Sequence, residues 1–232
     1  MFWFVDYWYI VLVLPAVILA AWAQYRVNST FEKYSRIPTR SGMTGYDSAR
    51  MVLDRHGLYN VKIEMVRGHL SDHFDPRTNV IRLSESVYGS RSAAAVGVAA
   101  HEAGHAVQYA TGYAPMKLRA AIIPATNLGS NLALPLILLG LLASIPQLAW
   151  AGVIAFSLSA VFQLVTLPVE FNASRRAMET LGNSGSFSEE ERAGCRRVLT
   201  AAAMTYLAAL AVALANLLRL ALIVAGNSRR RR

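Results

Sequence analysis

Residues 120–169 read AAIIPATNLGSNLALPLILLGLLASIPQLAWAGVIAFSLSAVFQLVTLPV, and none of them carries a charge. At about 20 residues per bilayer crossing, these 50 positions suffice for two spans. A buried core hairpin of a soluble protein is the rival reading, and the length disfavours it. Ser144, Ile145, Pro146 and Gln147 form the expected turn between the two spans. Gly129, Ser130, Gly140, Gly152 and Ser157 would let the two helices pack closely.

Upstream of this run lies Ala99, Ala100, His101, Glu102, Ala103, Gly104, His105, Ala106, Val107 and Gln108, which contains His-Glu-x-x-His. Residues four apart on an α-helix share one face. On a helix, His101 and His105 can therefore grip one metal ion with Glu102 beside it. In this motif the histidines bind zinc and the glutamate is a general base. Ser92 is the expected N-cap, 93–110 holds no proline, and Gly112 is the expected stop.

Catalytic zinc usually takes three protein ligands. No histidine follows His105, and Thr111 stands where an extended motif would place a third one. No Asp or Glu occurs between Ala106 and Val169, so the downstream candidates are Glu170, Glu179 and the run Glu189 to Glu191. Glu170 is favoured because it adjoins a rigid span, whereas Glu189 to Glu191 follow a Gly/Ser segment and read as a solvated helix start. The plain alternative for Glu170 is an acid complementing the dipole of a helix that starts after Pro168.

Tyr7 to Tyr25 is a further uncharged run, 19 residues long, with Trp3, Trp8, Tyr9, Trp22 and Tyr25 clustered at its ends as interfacial aromatics. A retained anchor is preferred to a cleaved signal peptide, because Met1 to Asp6 contains no Lys or Arg. Val198 to Leu218, 21 uncharged residues, reads as a fourth span, and Arg229 to Arg232 end the sequence. Between anchor and metal helix, Ile37 to Gly45 reads as a linker and Asp47 to His56 as a short helix. Val61 to Val66 and Asn79 to Leu83 alternate with period two and read as strands joined by Gly68 to Thr78.

The net charge of +9 would suggest nucleic acid in a soluble protein. Here the basic residues flank apolar runs, which points to the membrane surface, and no nucleic-acid-binding motif is present. The one cysteine, Cys195, excludes an internal disulfide and fits a reducing compartment. With four spans, 26–119 and 170–197 share one side. They carry thirteen and five basic residues against four in the tail, which favours a cytoplasmic catalytic side.

Three stretches, Ser71 to Asn79, Ala95 to Gln108 and Leu167 to Ser174, together resemble the YugP-type neutral zinc metallopeptidases, membrane-bound peptidases of the His-Glu-x-x-His zincin group. The resemblance runs from the first anchor to Ala177. It implies a peptidase with zinc on His101 and His105 and with Glu102 as base. Glu170, Phe171, Asn172, Ala173 and Ser174 are also similar to the Glu-x-x-Ala-Asp element that supplies the third ligand in CAAX-prenyl and heat-shock-type membrane proteases. Glu170 matches that ligand, and Ser174 stands where the acidic partner would be.

The expected fold is mainly α: a multi-pass membrane helical bundle with a small α+β zincin-like catalytic domain. Its parts are an anchor (1–25), a catalytic region (26–119, metal helix 93–110) and a transmembrane hairpin (120–169). A third-ligand helix and loop (170–197) and a fourth span with basic tail (198–232) complete it. The expected function is zinc-dependent endopeptidase action on protein or peptide at the bilayer. Cleavage inside the membrane and a non-catalytic zinc scaffold are the alternatives. His73, Tyr109 and Arg175 are candidate oxyanion or substrate donors. Their plain alternatives are a turn residue, a packing residue and a phosphate-anchoring surface charge. By analogy with other zincins, Asn79 to Leu83 is the expected edge for an extended substrate. A homo-oligomer or membrane-protein partner is left open.

Overall fold

The computed structural model describes residues 6–229. Trp3 of the first aromatic cluster and residues 230–232 of the basic tail lie outside the described residues. A π-helical turn, Tyr9–Val13, runs into α1, Leu14–Ser35. Pro15 has no N–H to give the preceding turn, a common cause of such a bulge. There follow α2 (Gly45–Arg55), β1 (Lys62–Val66), β2 (His73–Asp75), β3 (Val80–Ser84), α3 (Glu85–Tyr88) and α4 (Ala93–Ala110). Three long helices complete the order, α5 (Ala114–Leu142), α6 (Pro146–Gly182) and α7 (Glu189–Arg229). Four helical stretches, Tyr9–Ser35, Ala114–Leu142, Pro146–Gly182 and Glu189–Asn227, are long and apolar enough to cross a membrane.

The chain divides into two compact units. One joins the described residues up to Ala23 with Leu118–Leu167 and the chain from Thr205. Within it α5 and α6 pack through small residues. A Cβ on Gly129 would come 2.6 Å from the Ala155 carbonyl oxygen, and one on Gly152 would come 2.6 Å from that of Ala133. Ser130 and Ser159 share a hydrogen bond of 2.8 Å. Large apolar side chains such as Leu128, Leu139, Ile154 and Leu164 point outward, as lipid-facing residues do. Arg219 donates to Asp6 (Nη2–Oδ2 2.6 Å) and lies over the Tyr9 ring.

The other unit joins Gln24–Lys117 with Pro168–Met204. Its core is α4 packed on α2 and the sheet, with Val52, Leu53, Ile81, Leu83, Val87, Val96 and Val107 fully buried. Both helix starts are capped by side chains, at Ser92 as expected. Thr44 and Asp47 form a capping box on α2, and the Ser92 hydroxyl accepts from Ala95 N to cap α4.

Three expectations and one alternative reading are corrected here. The sheet has three strands in the order β1-β3-β2, with β1 parallel and β2 antiparallel to β3. The segment Gly68 to Thr78 thus contains a strand, and β3 is central. Both of its edges are occupied, so it cannot receive a substrate strand. Ile37 to Gly45 links α1 to α2 as expected, and it is tied down: Thr39 N donates to the Arg91 carbonyl, and Pro38 bridges Ser92. Pro168 lies inside α6, so Glu170 is not at a helix N-terminus. Glu191 is buried rather than solvated, because it accepts from Ser188 N and Arg40 N.

Candidate metal centre

The candidate site is built from two helices, each offering a pair of side chains one turn apart. On α4 the pair is His101 and His105. On α6 it is Glu170 and Ser174, four positions apart and so on one face. Gly104 permits the helices to meet, since a Cβ there would lie 2.6 Å from the Ala173 carbonyl oxygen. No larger residue fits between the two histidines and α6 at this distance.

Glu170 Oε2 lies 3.3 Å from His101 Nε2 and 3.4 Å from His105 Nε2. These separations are long for a charge-assisted hydrogen bond, which runs about 2.7–2.9 Å. They match the spacing of neighbouring ligands around a tetrahedral zinc: two donors each about 2.05 Å from the ion sit about 3.4 Å apart. One ligand atom from each of the three residues lies within 4.8 Å of the others. Glu170 is 3 % exposed, and His105 is also buried, at 9 %. The donor set, two imidazoles and one carboxylate, suits zinc.

The outer nitrogen of each imidazole is engaged. His101 Nδ1 lies 3.0 Å from Ser174 Oγ, and His105 Nδ1 lies 3.0 Å from Gln108 Oε1. The second contact fixes a proton. Gln108 donates through Nε2 to the Val169 carbonyl (2.7 Å) and to Asn172 Oδ1 (2.9 Å). A carbonyl can only accept, so the amide cannot be turned round, and Oε1 faces the ring. His105 Nδ1 must therefore donate, which leaves the neutral ring's lone pair on Nε2, towards Glu170. Asn172 Oδ1 is oriented in turn by Arg176 Nε, 2.8 Å away. Gln108 is completely buried, as a fixed member of such a chain must be.

Lone pairs of two ring nitrogens and a carboxylate oxygen thus converge, and a cation satisfies them. Burial opposes a charge on His105, but the Glu170 and Glu102 carboxylates together outweigh it and raise the imidazole pKa above its ordinary value. A proton and a metal ion compete for the same nitrogen.

Residues 9–225 match the family model described as "Putative neutral zinc metallopeptidase". The chain belongs to this family. It is also 47 % identical over 215 residues to a Bacillus subtilis (strain 168) protein named "Putative membrane protease YugP", covering 93 % of this chain and 96 % of that one. No solved structure matches it.

The remaining residues singled out from the sequence are placed as follows. Glu102, next to His101 on α4, is 8 % exposed. Its side chain takes no hydrogen bond among the described residues. Tyr109 is one turn beyond His105, half exposed, and its ring lies 5.9 Å from that of Phe74 on β2. His73 is exposed on β2, with Nδ1 held by the Ser71 carbonyl at 2.9 Å. Arg175 is exposed and pairs with Glu179 at 3.8 Å. Five positions on from Glu170, it points about 140° away around the helix. The metal-ligand candidates are brought together, and Arg175 is turned aside. Gln108, Asn172, Arg176 and Gly104 were given no role from the sequence. The available signal was a glutamine three residues after His105, on an otherwise apolar helix.

Proposed function

We propose that this membrane protein is a zinc-dependent endopeptidase whose ligands are His101, His105 and Glu170 and whose general base is Glu102. The observation that carries the reading is the 3.3 and 3.4 Å spacing of the Glu170 oxygen from the two Nε2 atoms. Family membership supports it independently. Bound zinc would supply a Lewis acid that polarises a carbonyl and acidifies water.

The chain's own residues supply the rest. Glu102, with no competing hydrogen bond among the described residues, takes a proton from the attacking water on a carboxylate oxygen. It then returns that proton to the departing amine. Gln108 and Ser174 orient the two imidazoles. Tyr109 and His73 are the candidate side chains for meeting a substrate, Tyr109 through its hydroxyl. An extended peptide would lie along the free edge of β2. Phe74 of that strand packs on Tyr109 of the metal helix, and β3 is already paired on both sides. The excess of Lys and Arg in 26–119 and 170–197 favours a cytoplasmic site.

The test is Glu102→Gln in purified protein. Zinc content should stay at one ion per chain while cleavage of a casein-like substrate, abolished by chelator in the parent, disappears. A variant that cleaves at the parental rate would remove Glu102 from the mechanism.

A further inference from the structure

A groove of about 560 Å³ runs between the C-terminal part of α6 and the first turns of α7. It lies wholly within the unit that holds the candidate metal centre. Its two walls grade from polar to apolar in the same direction. Gly182 backs onto Arg192 Nη1 at 3.6 Å if given a Cβ, so that end of α6 meets the start of α7. Arg192, Arg196 and Asn183 line this polar end. Phe171, Leu199 and Ala203 line the other, with the hydroxyls of Ser174 and Thr200 between them, where both helices pass into their charge-free stretches.

The arginines are under-used. Arg192 pairs with Glu189 through Nη2, but its Nε–H is buried without an acceptor among the described residues. The Arg196 guanidinium has no polar partner among them either. The groove's one acid, Glu179, is already opposite Arg175. A buried guanidinium N–H without an acceptor is costly, and a guanidinium fork suits phosphate.

We propose that this groove seats one anionic phospholipid. Its phosphate would lie at Arg192 and Arg196, and an acyl chain would lie over Phe171, Leu199 and Ala203. A free phosphate would satisfy the arginines but leave the apolar wall bare. A lipid satisfies both. Basic pockets between membrane helices hold anionic headgroups in this manner.

The experiment is native mass spectrometry of the full-length protein in detergent, titrated with phosphatidylglycerol, phosphatidylcholine or glycerol 3-phosphate. The expected result is one retained phosphatidylglycerol per chain. Arg192→Gln and Arg196→Gln should each weaken it about fivefold, and phosphatidylcholine should be held no better by parent than by variants. Equal retention of both lipids overturns the proposal, as does displacement of the lipid by equimolar glycerol 3-phosphate. So does displacement by an acidic peptide substrate, which would make the groove part of the cleavage site. Arg196 is exposed, so Arg196→Gln will fold. Undiminished phosphatidylglycerol binding by that variant alone is enough to reject the site.

Discussion

Gln108 Oε1 accepts from His105 Nδ1 at 3.0 Å, and the amide is locked in that sense by its own donation to the Val169 carbonyl. The glutamine thus sets which nitrogen of His105 is free for a metal. Outer partners of this kind typically contribute about 10–100-fold to metal affinity. Gln108→Met should weaken zinc by that factor in a chelator competition. Gln108→Glu keeps an acceptor at Nδ1 but faces two acceptors on its other side. It should hold zinc better than the Met variant while unfolding at a lower temperature. Identical zinc affinities for the two would show that only packing is at stake.

The third ligand is expected to be indispensable. Glu170→Ala removes the carboxylate from a position that is 3 % exposed and leaves the imidazole pair without it. Zinc should be lost at chelator concentrations the parent survives, as measured by metal analysis after dialysis. Unchanged stoichiometry would assign the ligand elsewhere.

Ser174 Oγ lies 3.0 Å from His101 Nδ1, where it meets the ring as a neutral partner. A carboxylate there would accept a stronger, charge-assisted bond from His101 Nδ1. Ser174→Asp should tighten zinc binding, and Ser174→Ala should loosen it. The ordering of dissociation constants Asp, Ser, Ala is the measurement, and a flat series would count against the contact.

Gly104→Ala tests the helix crossing. The added methyl would lie 2.6 Å from a backbone oxygen that a side-chain rotation cannot move. Overpacking of this kind costs about 1–3 kcal/mol, so thermal unfolding should shift downward and zinc should bind more weakly. Ala103→Gly, one position away, also costs about 1 kcal/mol through helix propensity but brings no side chain towards Ala173, so it should leave zinc affinity unchanged.

Two carboxylates beside the sheet titrate with opposite signs. Asp75 accepts from the Thr78 hydroxyl, Arg77 N and Arg82, which lowers its pKa from 3.8 to about 2. Its contribution to stability is present above pH 3.8 and is lost as pH falls towards 2. Asp72 is pushed the other way: burial raises its pKa although Ser84 N and Oγ both donate to it. Its charging therefore costs stability as pH rises from 3.8. Asp75→Asn should flatten the acid limb of a melting-temperature profile, and Asp72→Asn should steepen it.

The metal helix was legible because a four-residue spacing has one geometric meaning on a helix and because Ser92 and Gly112 mark its ends. Glu170 was favoured over Glu179 and Glu189 to Glu191 because it adjoins a rigid span, and its carboxylate does lie beside both imidazoles. The outer partners were not legible, since a glutamine on a mostly apolar helix reads equally well as a surface residue until Val169 and Asn172 are seen against it. Strand β2 escaped because three residues carry no periodicity. The changes of polarity near Glu170 and Val198 suggested element boundaries, yet α6 and α7 run unbroken through them. Hydropathy reports the surroundings of a helix, and its hydrogen bonds continue regardless.

All three candidate ligands and both orienting side chains stand on regular helix, and no loop contributes to the ring. Rigid elements hold such constellations more tightly than loops do. An arriving ion therefore has nothing to assemble. Stripping and restoring it should be a reversible exchange with an unaltered backbone, and the apo protein should wait in a loading-ready form.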